Sequence, residues 1–188
     1  MILDKPAGLS CTPGQKGDWC LTDQLHELTF GKTTLPQVAH RLDRETTGCL
    51  VLGRHPKALR LLGELFQKRR VIKTYWALVT GHWPLDRQIL DGPIEGQEAV
   101  TEVTCLHRGE GWSWLQLRPQ TGRTHQLRIH CSEQGHPILG DTRYSNQGVG
   151  EGLMLHAQGL QLPLSKNKPP LVIEAPLPGN WSRIASLV

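Results

Sequence analysis

Three short segments carry residue types that could do chemistry. The first, His40-Arg41-Leu42-Asp43-Arg44-Glu45-Thr46-Thr47-Gly48, sets one carboxylate between two guanidinium groups and closes on small polar residues and a glycine. Neighbouring opposite charge favours the carboxylate form, so Asp43 is a candidate reactive group, with a solvated salt-bridge cluster as the plain alternative. The second, Lys73-Thr74-Tyr75-Trp76-Ala77-Leu78-Val79-Thr80-Gly81, places Tyr75 near a strand start. Such a ring can stack on a base and offer a phenol for proton transfer, or simply pack into the core. The third, Thr121-Gly122-Arg123-Thr124-His125-Gln126-Leu127-Arg128-Ile129-His130, joins a turn to a helix. Gly122 allows an unusual backbone angle. Arg123, near the helix N-terminus, could hold a carboxylate bidentately or a phosphate. Arg128 and His125 are expected on other faces of this helix, which read alone is equally an amphipathic helix with a solvated basic side.

The elements that must position these groups follow from periodicity. Cys49-Leu50-Val51-Leu52 is a short continuous apolar run, which reads as a buried strand. Asp43 therefore sits on a turn entering a sheet. Lys5 through Gly14 is turn-rich and reads as an ordered loop. Thr22 is expected to cap a short helix through Leu28, ending near Gly31. Pro56 starts a helix with Leu59, Leu62, Leu65 and Phe66 as its buried stripe. Lys68-Arg69-Arg70 then suits the negative end of its dipole. Tyr75–Val79 reads as a strand. Val100–Leu106 and Trp112–Leu117 alternate around Gly109-Glu110-Gly111 and read as a hairpin. A helix is expected from His125 to Gln134, with Gly135 at its C-terminal cap. Met154–Ala157 and Leu171–Glu174 read as later strands, with a polar loop over 163–170. Meandering strands with separated helices indicate an α+β fold with a mainly antiparallel mixed sheet and flanking helices.

Composition narrows the function classes. At 188 residues the chain suits one domain able to bury a core without disulfides. No apolar stretch approaches the roughly 20 residues that span a bilayer, and Met1-Ile2-Leu3-Asp4-Lys5 has no signal-peptide core. A cytoplasmic location follows by default. The five cysteines are odd in number, scattered, and form no CxxC pair, as expected of reduced thiols. The net charge of +4 is compatible with nucleic acid. His125 and His130 lack the i, i+4 spacing of a metal pair, and no second Cys/His pair has ligand spacing, so no metal is expected. There is no glycine-rich phosphate loop, no G-x-S-x-G turn, and no second carboxylate marked out for glycosidase chemistry.

Taken in order, HRLDRETTG, KTYWALVTG and TGRTHQLRIH resemble the RluA-type pseudouridine synthases. DKPAGLSCTPG near the start, His136-Pro137-Ile138-Leu139-Gly140-Asp141 followed by Tyr144, and LMLHAQGLQL near the end extend the resemblance over almost the whole chain. It implies isomerisation of a specific uridine to pseudouridine in a stem-loop of ribosomal RNA, transfer RNA or both, without metal or cofactor. By resemblance Asp43 is the catalytic aspartate, acting at C1′ as nucleophile or at C2′ as base. The uracil then rotates within the site and C5 bonds to C1′. Tyr75 matches the tyrosine that stacks on the base and takes the C5 proton. Arg123 matches the basic partner of the aspartate, and Arg41 the arginine that fills the space left by the flipped nucleotide.

Lys68, Arg69, Arg70, Lys73, Arg41, Arg44 and Arg128 are expected to face phosphate. One catalytic domain over 1–188 and a monomer are expected; the lead strand before Lys5 is shorter than members of the family usually have, and a separate N-terminal helical RNA-binding domain of the kind many relatives carry is not expected. Thr47 stands where relatives usually have serine. A catalytically silent RNA-binding protein on the same fold is the rival. Binding alone, however, does not require an aspartate facing a polyanion. A hydrolase using His125 and His130 has no supporting spacing.

Overall fold

The computed structural model describes residues 1–13, 20–145, 152–181, 184 and 187. Gly14, read as the end of the opening loop, lies outside them. Among the described residues, nine strands form one sheet: β1 (Ile2–Lys5), β2 (Gln37–Val38), β3 (Thr47–Gly53), β4 (Ile72–Thr80), β5 (Arg87–Leu90), β6 (Thr101–Gly109), β7 (Trp112–Pro119), β8 (Leu155–Leu162) and β9 (Leu171–Glu174). The order is β1-β3-β8-β4-β7-β6-β5, with β2 beside β3 and β9 beside β8. Every pairing is antiparallel except β3 with β8, so the α+β expectation holds. The α-helices α1 (Pro56–Gln67) and α2 (Gln126–Glu133) and a 3₁₀ helix (Leu21–Leu28) flank the sheet. No helix among the described residues is long and apolar enough to cross a membrane.

β3 shows why its run is apolar on both faces. Cys49 and Val51 pack with Leu62 and Leu65 of α1, while Leu50 and Leu52 pack with Leu21 and Leu25 of the 3₁₀ helix. A strand covered on both sides has no polar face to alternate. Leu42 is buried in the same cluster as Leu50, which anchors the segment next to Asp43. β3 meets β8 through Thr47↔His156 and Gly48↔Ala157. A Cβ at Gly48 would strike the Ala157 carbonyl, and Gly48 has φ +103°. Only glycine lets the two backbones close there.

Several local expectations change. The 3₁₀ helix is capped from Cys20, whose amide donates to Asp23 Oδ2 at 3.1 Å, and not from Thr22. α1 begins at Pro56, with the His55 ring accepting from the Ala58 amide at 3.2 Å. The two-residue strand β2 is too short to show a period, and β5 lacks a continuous apolar run. The lead strand β1 nonetheless pairs over its full length with β3.

Candidate active site

Asp43, Tyr75 and α2 converge on one cleft of about 920 Å³. Its walls come from the segment before β3, the end of α1, the start of β4, and the β7–α2 turn. That volume lies in the range of ligand pockets, about 300–1,000 Å³.

The Asp43 side is held by backbone and by one buried lysine. Lys5 is 1% exposed. Its Nζ donates to the carbonyls of Pro6, Leu9 and Arg44 at 2.8, 2.9 and 2.8 Å. Burial, the larger influence, lowers its pKa against the pull of Cys11, Glu45 and Asp43. The Gly8 amide and the Arg44 Nε cross-link the same two loops, each at 3.0 Å. Cys11 Sγ donates to the Leu42 carbonyl and accepts from the Leu42 amide, both at 3.4 Å. His40 Nε2 accepts from the Val51 amide at 3.0 Å and its ring stacks on Phe66. Burial and then Lys73 lower this imidazole to about 4, so it stays neutral, as an acceptor nitrogen must. Lys5, Gly8, Cys11, His40, Leu42 and Arg44 are thus tied down around Asp43, while its own carboxylate is left half-buried at the cleft.

The α2 side is held by side chains. Thr121 Oγ1 donates to Gln126 Oε1 at 2.7 Å, and the Arg123 amide donates to the same oxygen at 3.0 Å. Gln126 Nε2 donates to the Val100 carbonyl at 3.0 Å. Arg128, nearly buried, grips Asp141 through two bonds of 2.7 and 2.8 Å. Burial would raise the Asp141 carboxyl, but Arg128 and the amides of Tyr144 and Arg143 hold it below its ordinary range.

Two basic side chains of this wall reach Asp43. Arg128 Nη1 is 3.9 Å from Oδ2 and His125 Nε2 is 3.9 Å from Oδ1. This corrects two expectations. Arg123 is not the partner of Asp43: its Nε donates to the Glu98 carbonyl at 2.9 Å, at the rim. Arg128 is not a phosphate-facing surface residue, because burial and Asp141 turn it inward. His125 and Arg128 share a target rather than lying on separate faces. The reason is local: His125 takes the left-handed conformation, φ 54° and ψ 21°, and so leaves the helical wheel. Gly122, expected to supply the unusual backbone angle, has an ordinary φ.

Tyr75 lies beside the irregularity where β4 shifts register on β8 between Thr74 and Trp76. Such bulges re-aim side chains near sites. Tyr75 packs against two buried clusters, and burial, reinforced by Asp43, pushes its phenol above the ordinary range. Lys73, two residues earlier, also lines the cleft and donates to the Thr121 carbonyl at 2.9 Å. Burial and then Arg69 lower it to about 8. Arg41 is exposed at the cleft. Arg69 pairs with Glu98 at 3.1 Å and Lys68 with Glu64 at 3.8 Å. Arg44 faces away from the cleft lining, on Gly8 and Glu45. His130 turns to Thr101 and Gly92, which removes it from any pairing with His125.

Sequence reasoning missed Lys5, Asp141, Tyr144 and His125 as parts of this site. All four fall in segments that carried the family resemblance, which was the available signal.

Residues 1–133 match the family described as RNA pseudouridylate synthase. An uncharacterized RNA pseudouridine synthase of Zymomonas mobilis is 39% identical, over 95% of this chain and 90% of that protein. The ribosomal large subunit pseudouridine synthase C of Vibrio cholerae is 32% identical over 94% of this chain, which spans 62% of the Vibrio protein. Among solved structures, human RNA pseudouridylate synthase domain containing 4 superposes with a TM-score of 0.85 at 28% identity, over 96% of this chain and 86% of that one.

Proposed function

This chain belongs to the RNA pseudouridylate synthase family, and from that premise we propose that it isomerises one uridine to pseudouridine in a stem-loop of ribosomal RNA or transfer RNA. The observation that carries the reading is the half-buried Asp43 at the cleft, faced by Arg128 and His125 and sharing the lining with Tyr75. A protein that only binds RNA gains nothing from a carboxylate so elaborately held.

In this reading the uridine flips out of its stem-loop, at a cost of a few kcal/mol. Stacking on Tyr75, about 1–3 kcal/mol by analogy with other base–aromatic contacts, and phosphate contacts at the rim offset that cost. Asp43 acts at the ribose and the glycosidic bond breaks. The uracil turns within the cleft, C5 bonds to C1′, and the C5 proton leaves through Tyr75. Because burial keeps that phenol protonated, its oxygen takes the C5 proton as its own proton passes on to the uracil N1, which the broken glycosidic bond leaves free and which pseudouridine carries as N1–H. Arg128, rather than Arg123, orients Asp43. Arg41 fills the place of the extruded base, and Arg123, Arg69 and Lys73 meet phosphate. The Vibrio relative's action on the ribosomal large subunit supports an rRNA target. The residues 1–188 act as one catalytic domain and as a monomer. The free state of all five cysteines supports a reducing, cytoplasmic setting.

Pseudouridine mapping of total cellular RNA with and without the protein tests this. One or a few uridines should lose modification in its absence and regain it with the wild type but not with Asp43→Asn, while Asp43→Asn still binds the RNA. Normal isomerisation by Asp43→Asn would overturn the assignment of Asp43, and an unchanged map would overturn the activity.

A further inference from the structure

His125 opens α2 in a backbone region that most L residues avoid and that histidine tolerates better than most. Both its ring nitrogens are addressed: Nδ1 lies 2.9 Å from the Tyr144 hydroxyl and Nε2 3.9 Å from Asp43 Oδ1. Tyr144 is itself fixed. Its amide donates to Asp141 Oδ1 at 3.0 Å and its carbonyl accepts from Ser132 Oγ at 2.7 Å. The Arg128 guanidinium lies over its ring at 5.2 Å from the centroid. Asp141 therefore grips both Arg128 and the residue that orients His125. One buried carboxylate aligns two groups onto the two oxygens of Asp43.

We propose that His125 is a positioning residue for Asp43: a neutral imidazole, its tautomer set by the Tyr144 phenol donating to Nδ1, that presents Nε2–H to Asp43 Oδ1. This rests on the reading of Asp43 as the group that acts at the ribose. A neutral imidazole that accepts at one nitrogen carries its proton on the other. The opposite tautomer would turn a lone pair toward the carboxylate and repel it. Burial holds His125 below the ordinary imidazole range; Asp43 and Asp141 pull upward, while Arg128 and Arg143 push downward. Besides Arg128 at 3.9 Å, the charged and titratable groups on other elements that feel Asp43 electrostatically are Lys5 and Tyr75. At 3.9 Å the His125 contact is longer than a hydrogen bond, and such contacts in unliganded sites shorten when substrate closes them.

Nitrogen NMR of histidine-labelled protein reads the tautomer without RNA. The expected result is Nε2–H for His125 in the wild type and a mixture of tautomers in Tyr144→Phe. Turnover then reads its use. His125→Asn tolerates the left-handed backbone but cannot span from Tyr144 to Asp43; it should lose about 10–100-fold in kcat with KM changed about twofold or less. His125→Gln, with an amide N–H of longer reach, should recover part of the loss. Tyr144→Phe should lose a smaller factor, and the acid limb of its kcat profile should move to higher pH, because the donor favouring neutral imidazole is gone. An Nδ1–H tautomer in the wild type, full activity in His125→Asn, or equal losses in Asn and Gln variants with an unmoved Tyr144→Phe profile would each overturn the proposal. If His125→Asn does not fold, the tautomer and the Tyr144→Phe profile decide. A wild type that modifies no uridine would defeat the functional reading and leave the tautomer result to be judged separately.

Discussion

The inner part of the cleft and its rim are built differently. Inside, charge is fixed by burial: Lys5 on three carbonyls, Arg128 on Asp141 through two bonds, and Gln126 stapling the turn before α2. At the rim, Arg69 and Arg123 are more open and both lean on Glu98, one on its carboxylate and one on its carbonyl. Buried charges must have geometric partners or they cost several kcal/mol, so the interior is rigid. Rim ion pairs are worth about 0–1 kcal/mol, so a phosphate can displace Glu98 cheaply. The contrast teaches a division of labour within the proposed function: the interior would orient one carboxylate, and the rim would adapt to a polyanion.

The sharpest break in that contrast is Tyr75→Phe. It leaves the stacking ring and should lower kcat by about 10²–10⁴-fold, as expected for a proton-transfer group, with RNA affinity nearly kept; an unchanged turnover number would take the phenol out of the reaction. Asp141→Asn comes next, because it leaves Arg128 buried without its counter-charge. Denaturant unfolding should show a loss of about 3–5 kcal/mol, together with a fall in activity. The sign with pH follows from the lowered Asp141 pKa. Its stabilisation is complete above the unfolded value of about 4 and disappears as pH falls through the lower folded value. The asparagine variant should lack that acid-dependent loss.

Rim variants should behave in the opposite way. Arg69→Ala and Arg123→Ala should each leave the melting temperature within a degree or two, about 0.5 kcal/mol. Each should reduce the salt slope of RNA binding by about 0.7–0.9. A large stability loss in either would erase the distinction between rim and interior. The smallest effect belongs to Lys73, which stands between the two zones with a pKa lowered to about 8. Its positive charge is present below that value and is lost as pH rises through it. RNA affinity of the wild type should therefore fall between pH 7 and 9, measured by titration at constant salt, and Lys73→Arg should flatten the fall.

How legible the molecule was depended on the range of the interactions. α1, β4, the β6–β7 hairpin, α2 and β9 could be read from the chain because their apolar spacing reports their own local period. β2 could not, having two residues, nor could β5, whose Arg87-Gln88-Ile89-Leu90 lacks the continuous apolar run of the equally short β9. The three segments of the cleft were recognisable by residue type, since an aspartate between arginines, a strand tyrosine and a basic turn are local patterns. Their pairing was not. Arg123 and Arg128 are both arginines near one helix N-terminus, and nothing in their spacing says which is turned inward.

The sequence by itself determined the α+β class, the identity of Asp43 and Tyr75 as cleft residues, and the family, because those rest on local composition and motif. Only the tertiary structure decided that Arg128 and His125, not Arg123, face Asp43. That choice hangs on Asp141, thirteen residues beyond Arg128 and buried against it, and on the left-handed turn at His125. A buried charge takes whichever partner the packed fold brings within reach, and partners brought together by the fold leave no local period in the chain.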